Sequence, residues 1–360
     1  MYHSLSIKNF RGFRDFTLSS LGRVNLILGA NNIGKTALLE AIFLLSGESN
    51  ISLIHMLNAM RALSHHLQGY VNQSSDSFWD HLFHQFDVHN HIELQGQYGE
   101  GLTRQVKLAL IPRSFIQINS EITVHERLEN LSTKALQMTY NDSSGNEKTT
   151  QMFIDTQGNF HIESPSSLRP TIPIYILTAC QQGSLAIVEE SAKLFGELII
   201  NQQPDALLVT LQPIEPRLKR LIPIPNSSSG MIYGDIGLKK MLPLPLLGEG
   251  LNRLTHILLR MMTVSAHGFL LIDEIDNGLH YSTLHQAWKA IAKTAQDFDV
   301  QIFTTTHSWE CIQAASEVFK ASPAGDFQIH RLENTEQGIK AVTYDPESIQ
   351  TSMEMNWEMR

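Results

Sequence analysis

Four short clusters have residue types and spacings that could do chemistry. The first is Gly29-Ala30-Asn31-Asn32-Ile33-Gly34-Lys35-Thr36, which fits G-x-x-x-x-G-K-[ST] in full. A loop of this kind wraps phosphates in backbone N–H groups, and only glycine permits the dihedrals and the close approach. A helix starting at the end of the loop adds the positive end of its dipole. In such a loop Lys35 reaches the β- and γ-phosphates and the Thr36 hydroxyl binds Mg²⁺. The pattern therefore predicts nucleotide contacts from Gly29, Asn31, Asn32, Ile33, Gly34, Lys35, Thr36 and Ala37. The competing reading, an ordinary glycine turn, is disfavoured by the strand expected before the loop and the helix after it.

The second cluster is Phe269-Leu270-Leu271-Ile272-Asp273-Glu274, an apolar strand ending in two carboxylates. An acid at the end of a buried strand is costly unless a cation or hydrogen bonds compensate it. With Mg²⁺ there, Asp273 holds the metal and Glu274 polarises an attacking water as general base. The third is Thr304-Thr305-Thr306-His307-Ser308, where His307 can sense a terminal phosphate or stabilise developing charge. The fourth, Leu247-Gly248-Glu249-Gly250-Leu251, opens a helix whose N-terminus can bind phosphate. An apolar run before an acid pair, or a histidine ending a strand, is weak alone; following a phosphate loop in this order, each gains weight.

These clusters need elements to hold them. Residues 3–8 alternate as a strand, and 23–28 form a buried-looking run that enters the phosphate loop. ALLEAIFLLSG then reads as a helix stopping at Gly47. Residues 50–88 look helical; HIELQGQ, RQVKLALI and QMFID read as strands with turn clusters between them. TIPIYILTA is another buried run, and 184–201 is helical. From Gly248 the order is helix, strand, helix, strand, helix, then a hairpin from FQIHRLE and IKAVTYD. Alternating strand and helix argues for a parallel sheet with helical cover.

Composition excludes several classes. The 360 residues are 42% hydrophobic and 18% charged, with net charge −9 at pH 7, so there is no global attraction to nucleic acid or to an anionic membrane. Two cysteines, Cys180 and Cys311, are too few and too far apart for a disulfide framework or a Cys-based zinc site. Sixteen histidines are scattered and form no ligand set with metal spacing. No apolar stretch approaches the roughly 20 residues of a membrane span, and the start is not a signal peptide. A cytoplasmic location is expected.

The motifs in this order resemble an ABC-type ATPase head. LSIKNFRGF resembles the first strand and turn of SMC and RecF heads. GANNIGKTALLEAI, EPRLKRL, LLGEGLNRL, LLIDEIDNGLH and TTTHS bring the chain nearest to the stand-alone AAA15/AAA21 ATPases, relatives of the ATPase half of overcoming-lysogenisation-defect nucleases. The resemblance covers both ends and much of the middle, and is weakest from about 90 to 165. The signature departs from the usual pattern, since Gly248 stands where serine is common. Gly29 and Asp273 lie 244 positions apart, room for a helical lobe and insertions.

The resemblance implies an α/β P-loop fold with a mixed or parallel core sheet, an antiparallel β part and a helical lobe. It implies one head over 1–360: 1–48 and 248–345 as the nucleotide-binding core, 50–88 a helical insertion, 90–180 a β-rich part, and 181–247 a helical lobe leading to the signature. It also implies ATP as substrate with Mg²⁺ and a head-to-tail homodimer or higher homo-oligomer. Gly248, Glu249 and Gly250 then act in trans, Asp276 lies near the seam, and Arg11 approaches the nucleotide. Gln181 or Gln182 contributes to the metal from the Q-loop. Neither a long coiled coil nor room for a fused nuclease is visible, so the expected role is a sensor that controls a separately encoded effector, a nuclease or toxin in phage defence. The alternative is a RecF-like DNA-binding ATPase in repair, for which Arg217, Lys219 and Arg220, with Lys239 and Lys240 close by, are the tight basic cluster.

Overall fold

The computed structural model describes residues 1–61, 78–99, 101–112, 134–154, 160–163, 173–178, 185–225, 230–264, 267–320, 322–323 and 325–344. The chain divides into two compact units, each assembled from separate segments. One comprises Met1–Ser20, Asn31–Ile172 and Leu332–Ala341; the other comprises Leu21–Ala30, Pro173–Arg331 and Val342–Arg360.

The first unit is organised by a seven-stranded sheet. Its strands are β1 (Tyr2–Phe10), β2 (Phe13–Leu18), β4 (Ile92–Tyr98), β5 (Leu102–Pro112), β6 (Lys134–Asp142), β7 (Glu147–Ile154) and β8 (Phe160–Glu163). They run in the order β2-β1-β4-β5-β6-β7-β8, and every recorded pairing is antiparallel. In β1 and β4 burial alternates along the strand, so one face is packed and the other wet. The helix α1 (Lys35–Ser46) belongs to this unit and is buried at nearly every position. A second helix, α2 (Ser52–Met60), follows. Among the described residues of the stretch read as helical from 50 to 88, the α-helix is α2; residues 62–77 lie outside the described residues, and 80–86 contains two single 3₁₀ turns. Leu82 in the first turn and Trp79 and Phe83 flanking it are buried, so contact with the unit's core overrides helical propensity.

The second unit is organised by the parallel strands β3 (Val24–Leu28), β9 (Ile174–Leu177), β13 (Phe269–Ile272), β14 (Gln301–Thr305) and β15 (Phe327–Thr335). The six-stranded order is β16-β15-β3-β14-β13-β9, with β16 (Gly338–Tyr344) at the edge. β3, β13 and β14 are buried at every position, as strands covered on both faces must be. The covering helices are α3 (Leu185–Ile200), α4 (Pro204–Leu211), α5 (Glu249–Thr263), α6 (Tyr281–Asp297) and α7 (Trp309–Phe319). α6 and α7 each connect parallel strands, the crossover such a sheet requires. A small antiparallel sheet of β10 (Arg220–Pro225), β11 (Gly230–Asp235) and β12 (Leu242–Pro243) precedes α5.

Candidate nucleotide site

The phosphate loop follows β3 directly. Gly29 has φ 139° and Gly34 φ 105°, values that L side chains rarely adopt, and Asn32 has φ 62°, a left-handed conformation that asparagine tolerates. Gly34 is the N-cap of α1, with no side-chain cap and no acid in the first turn. The positive end of the α1 dipole therefore meets no carboxylate from that turn, as an anion site needs. Lys35 and Ile33 are buried, while Asn31 and Asn32 are exposed.

One turn into α1, Glu40 is 2% exposed and carries two arginines. Arg61 binds it in a fork, Nε to Oε1 at 2.6 Å and a terminal nitrogen to Oε2 at 3.0 Å; Arg11 Nε lies 3.0 Å from Oε2. Arg11 occupies the β1–β2 turn at φ 49°, where His84 Nδ1 meets its carbonyl at 2.9 Å. Burial pulls the Arg11 guanidinium down to about 10, against the opposing pull of Glu40. Thus Arg11, expected at the nucleotide, makes an ion pair with the helix behind the phosphate loop. Glu40 and Arg61 were not singled out by sequence; the signal that could have found them is an acid inside an otherwise apolar helix.

In the second unit the carboxylates sit where the sequence puts them, and their supports come from β14. Asp273 is 8% exposed at the end of β13. The Thr305 hydroxyl donates to Asp273 Oδ1 at 2.6 Å and accepts from the Glu274 N–H at 2.8 Å. One hydroxyl therefore fixes both acids. Thr304 donates to the Ile272 carbonyl at 3.0 Å, and Thr306 donates to Asp276 Oδ1 at 2.5 Å. The three threonines drew attention only as part of the cluster that ends in His307 and Ser308; here they are the clamp. His307 follows them, exposed, just ahead of Ser308, which caps α7 by accepting from the Cys311 N–H at 3.1 Å.

Gly248 and Glu249 are exposed at the start of α5, with Gly248 at φ 129° and no side-chain cap. A Cβ on Gly250 would lie 2.4 Å from the Gly278 carbonyl oxygen, so glycine is what lets this helix start pack on the turn after Glu274. The Glu249 side chain turns toward the same place, its Cδ 3.7 Å from where a Gly278 Cβ would stand. The start of α5 and the turn at Gly278 thus form a single packed corner. Gln181 and Gln182 lie outside the described residues.

Beyond its first residues α5 buries the polar side chains Asn252, Arg253, Thr255 and His256. His256 is 1% exposed, with Nδ1 2.9 Å from Ser191 Oγ and Nε2 3.3 Å from the Tyr175 hydroxyl. Glu190 pairs with Arg260, which also lies 3.7 Å over the Tyr175 ring. Burial first, and the Arg253 charge second, push His256 down to about 4, so it is neutral.

Among the described residues, no group of three or more His, Cys, Asp or Glu is placed to hold a metal ion. Mg²⁺ at nucleotide sites uses one or two protein oxygens plus phosphate oxygens and water. The carboxylate of Asp273 in the second unit is a hard oxygen donor of that kind, and so, taken by itself, is the Thr36 hydroxyl in the first.

A family model described as AAA ATPase domain matches residues 1–168 and 198–312. The chain is 23% identical over 372 residues to the ATP/GTP phosphatase of Helicobacter pylori, covering 97% of each. It is 46% identical over 54 residues to an uncharacterized protein of Methanocaldococcus jannaschii, covering 15% of this chain and 25% of that protein. Among solved structures it is similar to an SMC head bound to the C-terminal winged-helix domain of ScpA, at 13% identity and TM-score 0.49, covering 96% and 98% of the two chains. An SMC head derived from Pyrococcus furiosus gives 12% identity and TM-score 0.46, covering 99% of each. Scores this low add nothing to the sequence match. With the matched segments spanning both the phosphate loop and the Asp273–Glu274 pair, the chain belongs to the AAA ATPase domain family, AAA15, and is a P-loop ATPase.

Proposed function

We propose that this ATPase works with Mg²⁺ as a head-to-tail homodimer that senses a trigger and controls a separately encoded effector, a nuclease or toxin of phage defence, in the cytoplasm. Lys35 and the loop Gly29–Thr36 bind the phosphates, joined by Ala37 at the start of the helix. Thr36 and Asp273 hold the metal, with Gln181 or Gln182 as Q-loop contributor. The metal supplies charge neutralisation on the phosphate oxygens. Glu274 takes the proton of the attacking water, and His307 stabilises charge on the terminal phosphate. Gly248, Glu249 and Gly250 meet the partner's nucleotide with Asp276 beside them, and Arg11 approaches the nucleotide from the β1–β2 turn.

The observation that carries this reading is the support of the acid pair. Asp273 is buried and accepts a hydrogen bond from the Thr305 hydroxyl, while Glu274 is half-buried with its backbone fixed by the same hydroxyl. That division suits one carboxylate for a cation and one for a water. In support of the trans role, Gly248 and Glu249 at the tip of α5 are exposed although the helix is largely buried from Leu251 onward.

Size measured by light scattering tests it. Glu274→Gln is expected to bind ATP, hydrolyse it slowly and double in mass with ATP and Mg²⁺. Wild-type turnover by that variant sinks the general-base assignment; unchanged mass sinks the nucleotide-closed dimer.

A second reading, a DNA-binding ATPase, has one observation in its favour. Lys219 and Arg220 enter β10 beside the turn at Gly237–Lys240, with Lys219 Nζ 3.2 Å from where a Gly237 Cβ would be. Arg217 is already paired with Glu215 at 2.8 Å, and Asp235 lies in the same corner, bonded to the Gly237 N–H. DNA joining the ATP-bound Glu274→Gln complex, with affinity falling steeply in salt, favours this reading over the sensor.

A further inference from the structure

Arg253 on α5 is 7% exposed, and what it binds is backbone. One terminal nitrogen donates to the carbonyl of Asp273 at 3.0 Å and to the carbonyl of Glu274 at 2.5 Å. Its Nε and other terminal nitrogen are buried without a hydrogen-bond partner among the described residues. A core arginine kept only for stability ordinarily pairs with a carboxylate, as Arg11 and Arg61 do with Glu40. Asp273, Glu274, Asp276 and Glu249 all act on Arg253 through their charge. Its hydrogen bonds nevertheless go to the two carbonyls.

The residue those bonds hold is strained. Glu274 has φ 52°, in the left-handed region that costs a non-glycine residue of order 1–3 kcal/mol and persists only where the surroundings impose it. Two restraints impose it here: Thr305 Oγ1 accepts from its N–H, and the Arg253 guanidinium donates to its carbonyl. The second is charge-assisted and the stronger in kind. Arg253 is itself anchored, because His256 and Arg260, one and two turns along the same stripe of α5, are fixed to Tyr175, Glu190 and Ser191.

We propose that Arg253 is a positioning residue for hydrolysis: it holds the Glu274 backbone in the left-handed conformation that presents its carboxylate, and so ties the signature helix to the general base within one chain. This rests on the reading of Glu274 as base. A structural link of this kind makes any displacement of the helix start, such as contact with a second copy, a displacement of the Glu274 carbonyl.

The test uses the full chain with Arg253→Met, Arg253→Lys and Glu274→Gln, and each combined with Glu274→Gln. ATP affinity at equilibrium, single-turnover hydrolysis and thermal melting are read on all of them. Arg253→Met is expected to lower the hydrolysis rate by about ten- to a hundredfold with ATP affinity within about threefold of wild type, since only the reacting geometry is lost. Arg253→Lys, which can reach one carbonyl, recovers part of the rate. In the Glu274→Gln background neither change lowers the rate further, because residues acting as one unit are not additive. If Arg253→Met melts too early to assay, the lysine variant carries the comparison. Wild-type rates in the arginine variants, with Glu274→Gln inactive, overturn the positioning role and leave the base intact. Equal loss of affinity and rate alongside a collapsed melting temperature makes Arg253 structural and overturns it too, as does full additivity. Wild-type turnover by Glu274→Gln itself removes the base, and the proposal with it.

Discussion

Two buried charges, Glu40 in the first unit and Arg253 in the second, are handled in opposite ways. In the first, the Glu40 carboxylate is closed in by Arg11 and Arg61, so charge answers charge. In the second, the Arg253 guanidinium bonds carbonyl oxygens while acids stand near it without hydrogen-bonding it. The first arrangement secures the helix that follows the phosphate loop; the second fixes the shape of the chain around Glu274. The difference teaches that a buried ion pair can be broken at the cost of stability alone, whereas a buried ion holding backbone is broken at the cost of geometry.

Three changes sharpen that contrast, beyond the tests given above. Glu40→Ala leaves Arg11 buried with its positive charge unpaired, and removing one partner of a buried pair typically costs about 3–5 kcal/mol. The lower end is expected, because the Arg61 side chain is 36% exposed and can turn to water. Chemical denaturation reads the loss, and a midpoint equal to wild type breaks the comparison. Thr305→Val keeps the shape of the side chain but deletes the hydroxyl shared by Asp273 and Glu274. Its expected signature is a rate loss of about ten- to a hundredfold, or ~1.4–2.7 kcal/mol in the barrier, with a much smaller change in melting. A variant that loses stability and keeps its rate would place Thr305 with Glu40 rather than with Arg253.

The smallest effect is in the pH dependence. His256 is held at about 4, below its ordinary 6.5, so between those values the unfolded chain binds the extra proton. Stability from this residue is therefore complete above about pH 6.5 and is lost as pH falls toward 4. Between pH 7 and 5.5 it amounts to about 1–2 kcal/mol. His330, also buried and at about 4, acts in the same direction in the same unit, and His81 does so in the first unit. A His256→Asn variant should show a shallower acid limb in melting temperature against pH; an identical limb means the imidazole is already protonated in the fold.

Much of the site was legible because its chemistry is local. The phosphate loop needs consecutive residues with particular dihedrals, so Gly29, Gly34, Lys35 and Thr36 declare themselves in eight positions. β3, β13 and β14 were legible for a related reason, since strands buried on both faces are continuous apolar runs. β2, β6 and β8 went unread: β2 shows only alternation over a few residues, and β6 lies in the stretch where the family resemblance is weakest. The helix read through residue 88 stopped at Met60 because periodicity alone cannot see which aromatic residues the core will claim.

The sequence by itself determined the loop, the acid pair, the order of strands and helices around them, and the family. Each of those is written within one short segment or in the spacing between segments. Only the tertiary structure decided that Arg11 and Arg61 share Glu40, that Thr305 clamps Asp273 and Glu274 from another strand, and that the basic stripe of α5 faces inward. These partners are 20 to 80 or more positions apart in most cases, with Glu40 and Arg61 separated by 21 and Glu190 and Arg260 by 70. A polar side chain in a helix carries no mark of whether water or another segment will satisfy it. That is settled by packing, when burial makes an unmet hydrogen bond or charge costly enough to select its partner.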